Sequence, residues 1–232
     1  MKNSIFFALA FFIGSTSLGS AAPSGKQKVD ILWVVDDSGS MSANQKALAS
    51  SIDSLFKAFT ASPLVDWQMA MISTDADAAP QLGFTTVVNN QTPDPAGLLA
   101  ATLQKLGTNG SATEQTFDPI SIHLSKPTPF LRSDALLAVV LVSDAEEQSK
   151  QTADAFLQYL VGLKGGMNLV SFSGVLAAMD LDSQCPNEGW KYAGSALEKV
   201  ITQTDGRLYS LCAPSWPATL SDIHTDIVRR LH

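Results

Sequence analysis

Three oxygen-bearing side chains, Asp36, Ser38 and Ser40, stand at alternate positions just after an apolar run, in the stretch Val29 to Ser42, VDILWVVDDSGSMS. One carboxylate and two hydroxyls at that spacing place three hard oxygen ligands on one side of one loop, and Gly39 between the serines allows a tight turn. The set is weak for calcium, which takes roughly six to eight oxygens. It suits an octahedral ion such as magnesium, provided other loops complete the shell. The same residues have a plainer use, because Asp and Ser dominate turns: Asp36 and Ser38 can satisfy turn backbone while Ser40 caps a helix.

The run that ends at these residues, Ile31 to Val35, is too short to span a membrane and too apolar for a half-exposed strand. It reads as a strand buried on both faces, as in a parallel sheet, where function gathers at the carboxyl ends of the strands. A second run, Ala135 to Val142, has the same character and ends in SDAEEQS, which places Asp144 at the carboxyl end of another buried strand. Between the two lies TNGSATEQ, where Ser111 and Glu114 have capping-box spacing for a helix running to Leu124; Thr113 then sits in its first turn. Ser42 and Gln45 have the same spacing at the start of the first helix.

The remaining elements alternate. Ala43 to Phe59 reads as an amphipathic helix, with Ala47, Leu48, Ile52, Leu55, Phe56 and Phe59 on one face. Val65 to Thr74 and Leu82 to Val88 read as strands, and the short DADAAPQ link makes them an antiparallel edge hairpin, with Asp75 and Asp77 as turn carboxylates. Helices follow at Ala96 to Leu106, Ala153 to Leu163, Tyr192 to Thr202 and Pro217 to Leu231, and strands at Asn168 to Leu176 and Arg207 to Leu211. Strands alternating with helices of this length imply a three-layer α/β/α, doubly wound, mostly parallel sheet with one antiparallel edge hairpin.

An apolar strand, Asp36-x-Ser38-x-Ser40 and a following helix resemble the first segment of the metal-ion-dependent adhesion site of von Willebrand factor type A domains. In that family the second metal loop supplies a threonine near a helix start, matched by Thr113 with Phe117 one turn on. The third supplies an aspartate after a buried strand, matched by Asp144. Glu146 and Glu147 depart from the Asp-Gly start of many animal domains and look like the acidic version of this loop in bacterial secreted members. The resemblance covers Lys28 to His232. It implies a Rossmann-like fold and a divalent cation, Mg2+ before Mn2+ or Ca2+, at Asp36, Ser38, Ser40, Thr113 and Asp144. It also implies a non-enzymatic adhesion or protein-binding module whose ion takes a carboxylate from a protein or cell-surface partner.

Two other classes are weighed against this. An apolar strand ending in Asp-Asp could serve a phosphatase or other hydrolase with Asp36 as nucleophile, but haloacid-dehalogenase-like enzymes want an aspartate where Ser38 stands, and the Gly-x-Ser-x-Gly elbow of serine hydrolases is absent. His123 and His224 fall within helices, without acidic or histidine neighbours at ligand spacing. The other class is a scaffold whose ion is purely structural, with Glu146 or Glu147 closing the shell.

Met1 to Ala22 has a lysine at position 2, an apolar core and a small-residue finish, the pattern of a secretory signal peptide. Cleavage after Ala21 is favoured over Ala22, which would leave Pro23 at the new terminus. Residues 23–27 then form a short tether and 28–232 one domain, exported to a secreted or periplasmic location without membrane insertion. The 232-residue chain carries a formal charge of −7, and it has no basic run, so neither nucleic acid nor anionic lipid is an electrostatic partner. Two cysteines in an exported chain point to one disulfide, Cys185 with Cys212, worth about 3 kcal/mol in the chain-entropy model. Thiol titration of the unfolded, unreduced chain would test that pairing.

Overall fold

A computed structural model describes residues 25–77, 86–177 and 194–232. Leu82, Cys185, the start of the helix expected from Tyr192, and the leader lie outside the described residues.

Among the described residues, six strands form one sheet in the order β3-β2-β1-β4-β5-β6. They are β1 (Gln27–Val35), β2 (Val65–Ser73), β3 (Val87–Asn89), β4 (Leu136–Ser143), β5 (Val170–Leu176) and β6 (Leu208–Ser210). The β1–β2, β1–β4, β4–β5 and β5–β6 pairs are parallel, and β2–β3 is antiparallel. The chain order reverses beside β1, so β1 and β4 leave a switch point between them, and their carboxyl ends are level: Val35 pairs with Val142.

The helices are α1 (Ser42–Thr60), α2 (Pro95–Leu106), α3 (Phe117–Leu124), α4 (Ala153–Lys164), α5 (Gly194–Gln203) and α6 (Trp216–Arg230). The pleat of β1 divides them between two layers. Ile31, Trp33 and Val35 pack with Leu48, Leu55 and Phe59 of α1, Leu99 and Leu103 of α2, and Leu220 and Ile223 of α6. Leu32 and Val34 face the other way, onto Phe117 and Ile120 of α3, Phe156 and Leu160 of α4, and Leu197 and Val200 of α5. A strand covered on both faces has no need of polar alternation, which is why the central strands read as continuous apolar runs.

Neither expected capping box forms. A 3-10 turn, Gly39–Met41, leads into α1, the N-cap position falls on Met41, and no side chain caps it. Helix α3 starts at Phe117, with Thr116 at the N-cap and no cap from its own side chain. Its first N–H groups are taken by partners distant in sequence: Thr116 donates to Glu147 Oε2 (2.9 Å), while Phe117 and Asp118 donate to Ser149 Oγ (3.0 and 3.1 Å). Those distant acceptors make a local cap redundant. Thr113 therefore stands on the loop ahead of α3 and not in its first turn. Strand β5 also begins later than Asn168, because Met167–Leu169 is a 3-10 turn.

Candidate metal centre

Asp36 closes β1 and is fully buried. Its amide donates to Val142 O (2.9 Å), carrying the β1–β4 ladder one step past the strand. Its carboxylate faces the loops: Oδ1 accepts from the Ser38 amide (2.9 Å) and Oδ2 from the Ser143 hydroxyl (2.6 Å). The Ser38 and Ser40 hydroxyls lie 3.0 Å apart, and Ser40 Oγ donates to Asp144 Oδ1 at 3.1 Å. The first and third loops thus meet through a chain of oxygens from Ser38 to Ser40 to Asp144, with Asp36 tied to both loops. Thr113 is exposed on the second loop, its amide donating to Ser111 Oγ (3.0 Å); it stands apart from that chain of hydrogen bonds.

Residues outside the expected ligand set hold these loops in place. Gln45, buried in the first turns of α1, donates from Nε2 to Asp36 O (2.8 Å) and Gly107 O (2.9 Å), joining the first loop to the end of α2. Gly110 N donates to Asp37 O (2.8 Å), and a Cβ on Gly110 would fall 2.3 Å from the Asp37 carboxyl, so only glycine lets the second loop approach the first this closely. Glu147 is spent on backbone, with Oε1 accepting from Ser149 N (2.6 Å) and Oε2 from Thr116 N, while Glu146 is exposed. Burial raises the Glu147 carboxyl above its ordinary range, opposed by these bonds from Ser149 and Thr116. Signals for two of these residues were present in sequence: Asp37 is the second carboxylate after a buried strand, and Ser143 directly precedes Asp144.

Two further carboxylates lie behind the serines. Asp37 is 6% exposed and Glu114 4%, and Asp37 Oδ1 and Glu114 Oε1 are buried without a hydrogen-bond partner. Glu114 accepts from the Thr74 hydroxyl through its other oxygen. Burial, then the charges of Asp75 and Asp36, push the Asp37 carboxyl up to about 6. Burial first, and then Asp36 and Asp37, push Glu114 up to about 8, against the hydrogen bond from Thr74. Among the described residues no Lys, Arg or His pairs with Asp36, Asp37 or Glu114.

This donor set fits a small divalent cation. Among the described residues no group of three or more His, Cys, Asp or Glu is arranged to hold a metal, so an ion at this edge needs the serine hydroxyls. An octahedral ion with oxygens at about 2.1 Å keeps neighbouring ligands about 3 Å apart, which is the separation of Ser38 Oγ from Ser40 Oγ and of Ser40 Oγ from Asp144 Oδ1. The Asp37 carboxylate, with its partnerless buried oxygen, supplies negative charge that favours a cation at neutral pH, whereas Glu114, pushed up to about 8, holds its proton there.

The other singled-out residues lie in different settings. A ring nitrogen of His123 is 2.8 Å from Pro119 O, and His224 packs edge-on against Phe59 with Nε2 3.0 Å from Ser62 Oγ. Asp75 and Asp77 form the expected turn, Asp77 N donating to Asp75 Oδ1 (2.9 Å). Cys212 follows β6, its amide donating to Ser210 Oγ at 3.2 Å. Among the described residues no helix is long and apolar enough to cross a membrane.

No protein-family model matches the sequence, and no curated protein matches it. Solved structures do. A von Willebrand factor type A protein from Catenulispora acidiphila aligns over 89% of this chain and 43% of its own, at TM-score 0.54 and 14% identity. Proximal thread matrix protein 1 from the mussel byssus, with a zinc-occupied MIDAS motif, aligns over 89% and 46%, at 0.55 and 12%. The pilus adhesin SpaC from Lactobacillus rhamnosus GG, in an open conformation, aligns over 90% and 30%, at 0.51 and 12%. The chain spans less than half the length of each of these, and what it shares with them is the fold.

Proposed function

We propose that this chain, which has the fold of von Willebrand factor type A domains, is a metal-dependent adhesion or protein-binding module. In this reading one divalent cation, Mg2+ in preference to Mn2+ or Ca2+, is held by Asp36, Ser38, Ser40, Thr113 and Asp144, and the partner is a protein or cell-surface ligand that offers a carboxylate. The observation that carries the reading is the convergence of Ser38, Ser40 and Asp144 at ligand-like separations, beside partnerless carboxylate oxygens with no cationic side chain paired to them.

The chain's own residues divide the work. Ser38, Ser40 and Thr113 would offer neutral oxygens. Asp36, locked by the Ser38 amide and the Ser143 hydroxyl, orients the serine loop, and Asp144 orients Ser40. A cation held largely by hydroxyls keeps strong Lewis acidity and prefers a hard, anionic oxygen in an open position. Because both Glu147 oxygens are engaged elsewhere, that carboxylate is not available to close the shell. A phosphatase reading is disfavoured by Asp36 itself, whose carboxylate is fully buried with both oxygens occupied and so is badly placed as a nucleophile. The named adhesin and byssus proteins with this fold and the leader-like Met1 to Ala22 support an exported, secreted or periplasmic setting.

Calorimetric titration of the whole chain with Mg2+, Mn2+ and Ca2+ tests the reading. Wild type should bind one ion, and Asp36→Ala should bind about a hundredfold more weakly, its fold being checked by circular dichroism because Asp36 is fully buried. Equal uptake by the two proteins would sink the assignment.

A further inference from the structure

A groove of about 500 Å3 runs between α1 and α2, with Gln45, Lys46 and Ala49 on one wall and Ala100, Leu103 and Gly107 on the other. Its upper end, at Ser42 and Thr108, meets the candidate metal loop: Ser42 is two positions after Ser40, and the Thr108 carbonyl lies 3.8 Å from where a Cβ on Gly39 would stand. Alanines on both walls leave room for main chain with small side chains. Lys46 is the groove's single charged lining residue and is exposed. Among the described residues no carboxylate forms an ion pair with it. On a chain of net charge −7, this is an isolated positive charge in a channel that leads to a proposed carboxylate acceptor.

We propose that the groove docks an extended acidic segment of a protein partner, with one carboxylate at the metal centre and a second on Lys46. The proposal rests on the metal-dependent reading for its first anchor. The spacing follows from the chain between them: two steps of the 3-10 turn at about 2 Å and four of α1 at about 1.5 Å put Lys46 about 10 Å beyond Ser40 along the axis. An extended chain covers that distance in about three residues. The recognised pattern is therefore acidic-x-x-acidic, with small residues at the two central positions. Lys46 supplies selectivity more than affinity, as an exposed ion pair does.

Two capped tetrapeptides separate the anchors: acetyl-Asp-Ala-Ala-Asp-amide and acetyl-Asp-Ala-Ala-Ala-amide, titrated in Mg2+ at low salt and followed by backbone amide NMR. Wild type should prefer the first by about threefold, in line with an exposed pair, with shifts at Ala49 and Ala100. The preference should vanish in Lys46→Glu, and Gln104→Trp, filling the groove, should weaken both peptides. Equal chelator-sensitive binding of both peptides, or a preference that survives Lys46→Glu, overturns the groove and leaves the metal reading standing. Absence of chelator-sensitive binding by either peptide overturns both. A concentration-dependent dimer abolished by Gln104→Trp would assign the groove to a second copy of the chain and overturn the proposal as well.

Discussion

Strand β1 buries Asp30 near its amino end and Asp36 just beyond its carboxyl end, both fully. The surroundings of the two differ in sign. Asp30 is answered on each oxygen: Arg132 Nε donates to Oδ1 and the Arg132 amide to Oδ2, both at 2.7 Å, and Gln68 Nε2 adds 2.9 Å to Oδ1. The same guanidinium reaches Val29 O, Asp66 O and the Asp66 carboxylate (2.9, 3.0 and 3.0 Å), and the Lys164 ammonium donates to Arg132 O. At the other end Asp36 accepts from the Ser38 amide and the Ser143 hydroxyl, with no cationic side chain paired to it among the described residues, and Asp37 and Glu114 beside it each keep a buried oxygen without a partner. One end of the strand is closed electrostatically and serves stability. The other is left in deficit, the condition under which an added cation is bound instead of tolerated.

Arg132→Met should lower unfolding free energy by about 3 kcal/mol, because it strands the Asp30 charge without its main partner. Urea denaturation would measure this, and metal affinity should change less than twofold. A loss under about 1 kcal/mol would mean that Asp30 is not a buried ion pair in the energetic sense.

At the open end the sign should reverse. Asp37→Asn removes a like charge from a crowded pocket and, in chelator at neutral pH, should raise stability by about 1 kcal/mol while weakening Mg2+ binding. The pH dependence sharpens this. Asp37, with its folded-state carboxyl at about 6 against 3.8, binds its proton more tightly folded than unfolded. Its contribution to stability is therefore present at low pH and is lost as pH rises from about 4 through about 6. Metal-free wild type should decline across that window relative to Asp37→Asn in thermal melts, and parallel pH profiles for the two proteins would contradict the deficit.

Much of this was legible in sequence because it follows from local pattern. Buried strands announce themselves by unbroken apolar runs, and Asp36, Ser38, Ser40 and Asp144 sit where such runs end. What was illegible depends on partners far apart in the chain. Gln45 reads as half of a capping box, but its amide is drawn to two carbonyls at the loop junction. Glu114 has the same local spacing, yet it turns inward to Thr74 because Glu147 and Ser149 already serve the start of α3. Arg132, in a stretch that reads only as a link, supplies the counter-charge for a residue on the opposite side of the sequence. Spacing reveals what a side chain can do nearby and is silent on which distant donor reaches it first.

The start of α3 also carries a consequence for the order in which the molecule assembles. Its first amides are answered by Glu147 and Ser149, 31 or 32 positions further along the chain, and an eight-residue helix is too short to hold itself together alone. During synthesis the ribosome delivers α3 before the residues that complete it, so the loop ahead of α3 should wait until β4 has docked beside β1. Pulse-labelled exchange during refolding should find the Thr116 to Asp118 amides protected after those of β1 and β4; earlier protection would show that α3 nucleates by itself. On that schedule the proposed binding edge is a late product of folding, and a nascent chain that has not yet reached Ser149 presents its serine loop without a finished place for a cation or a partner to settle.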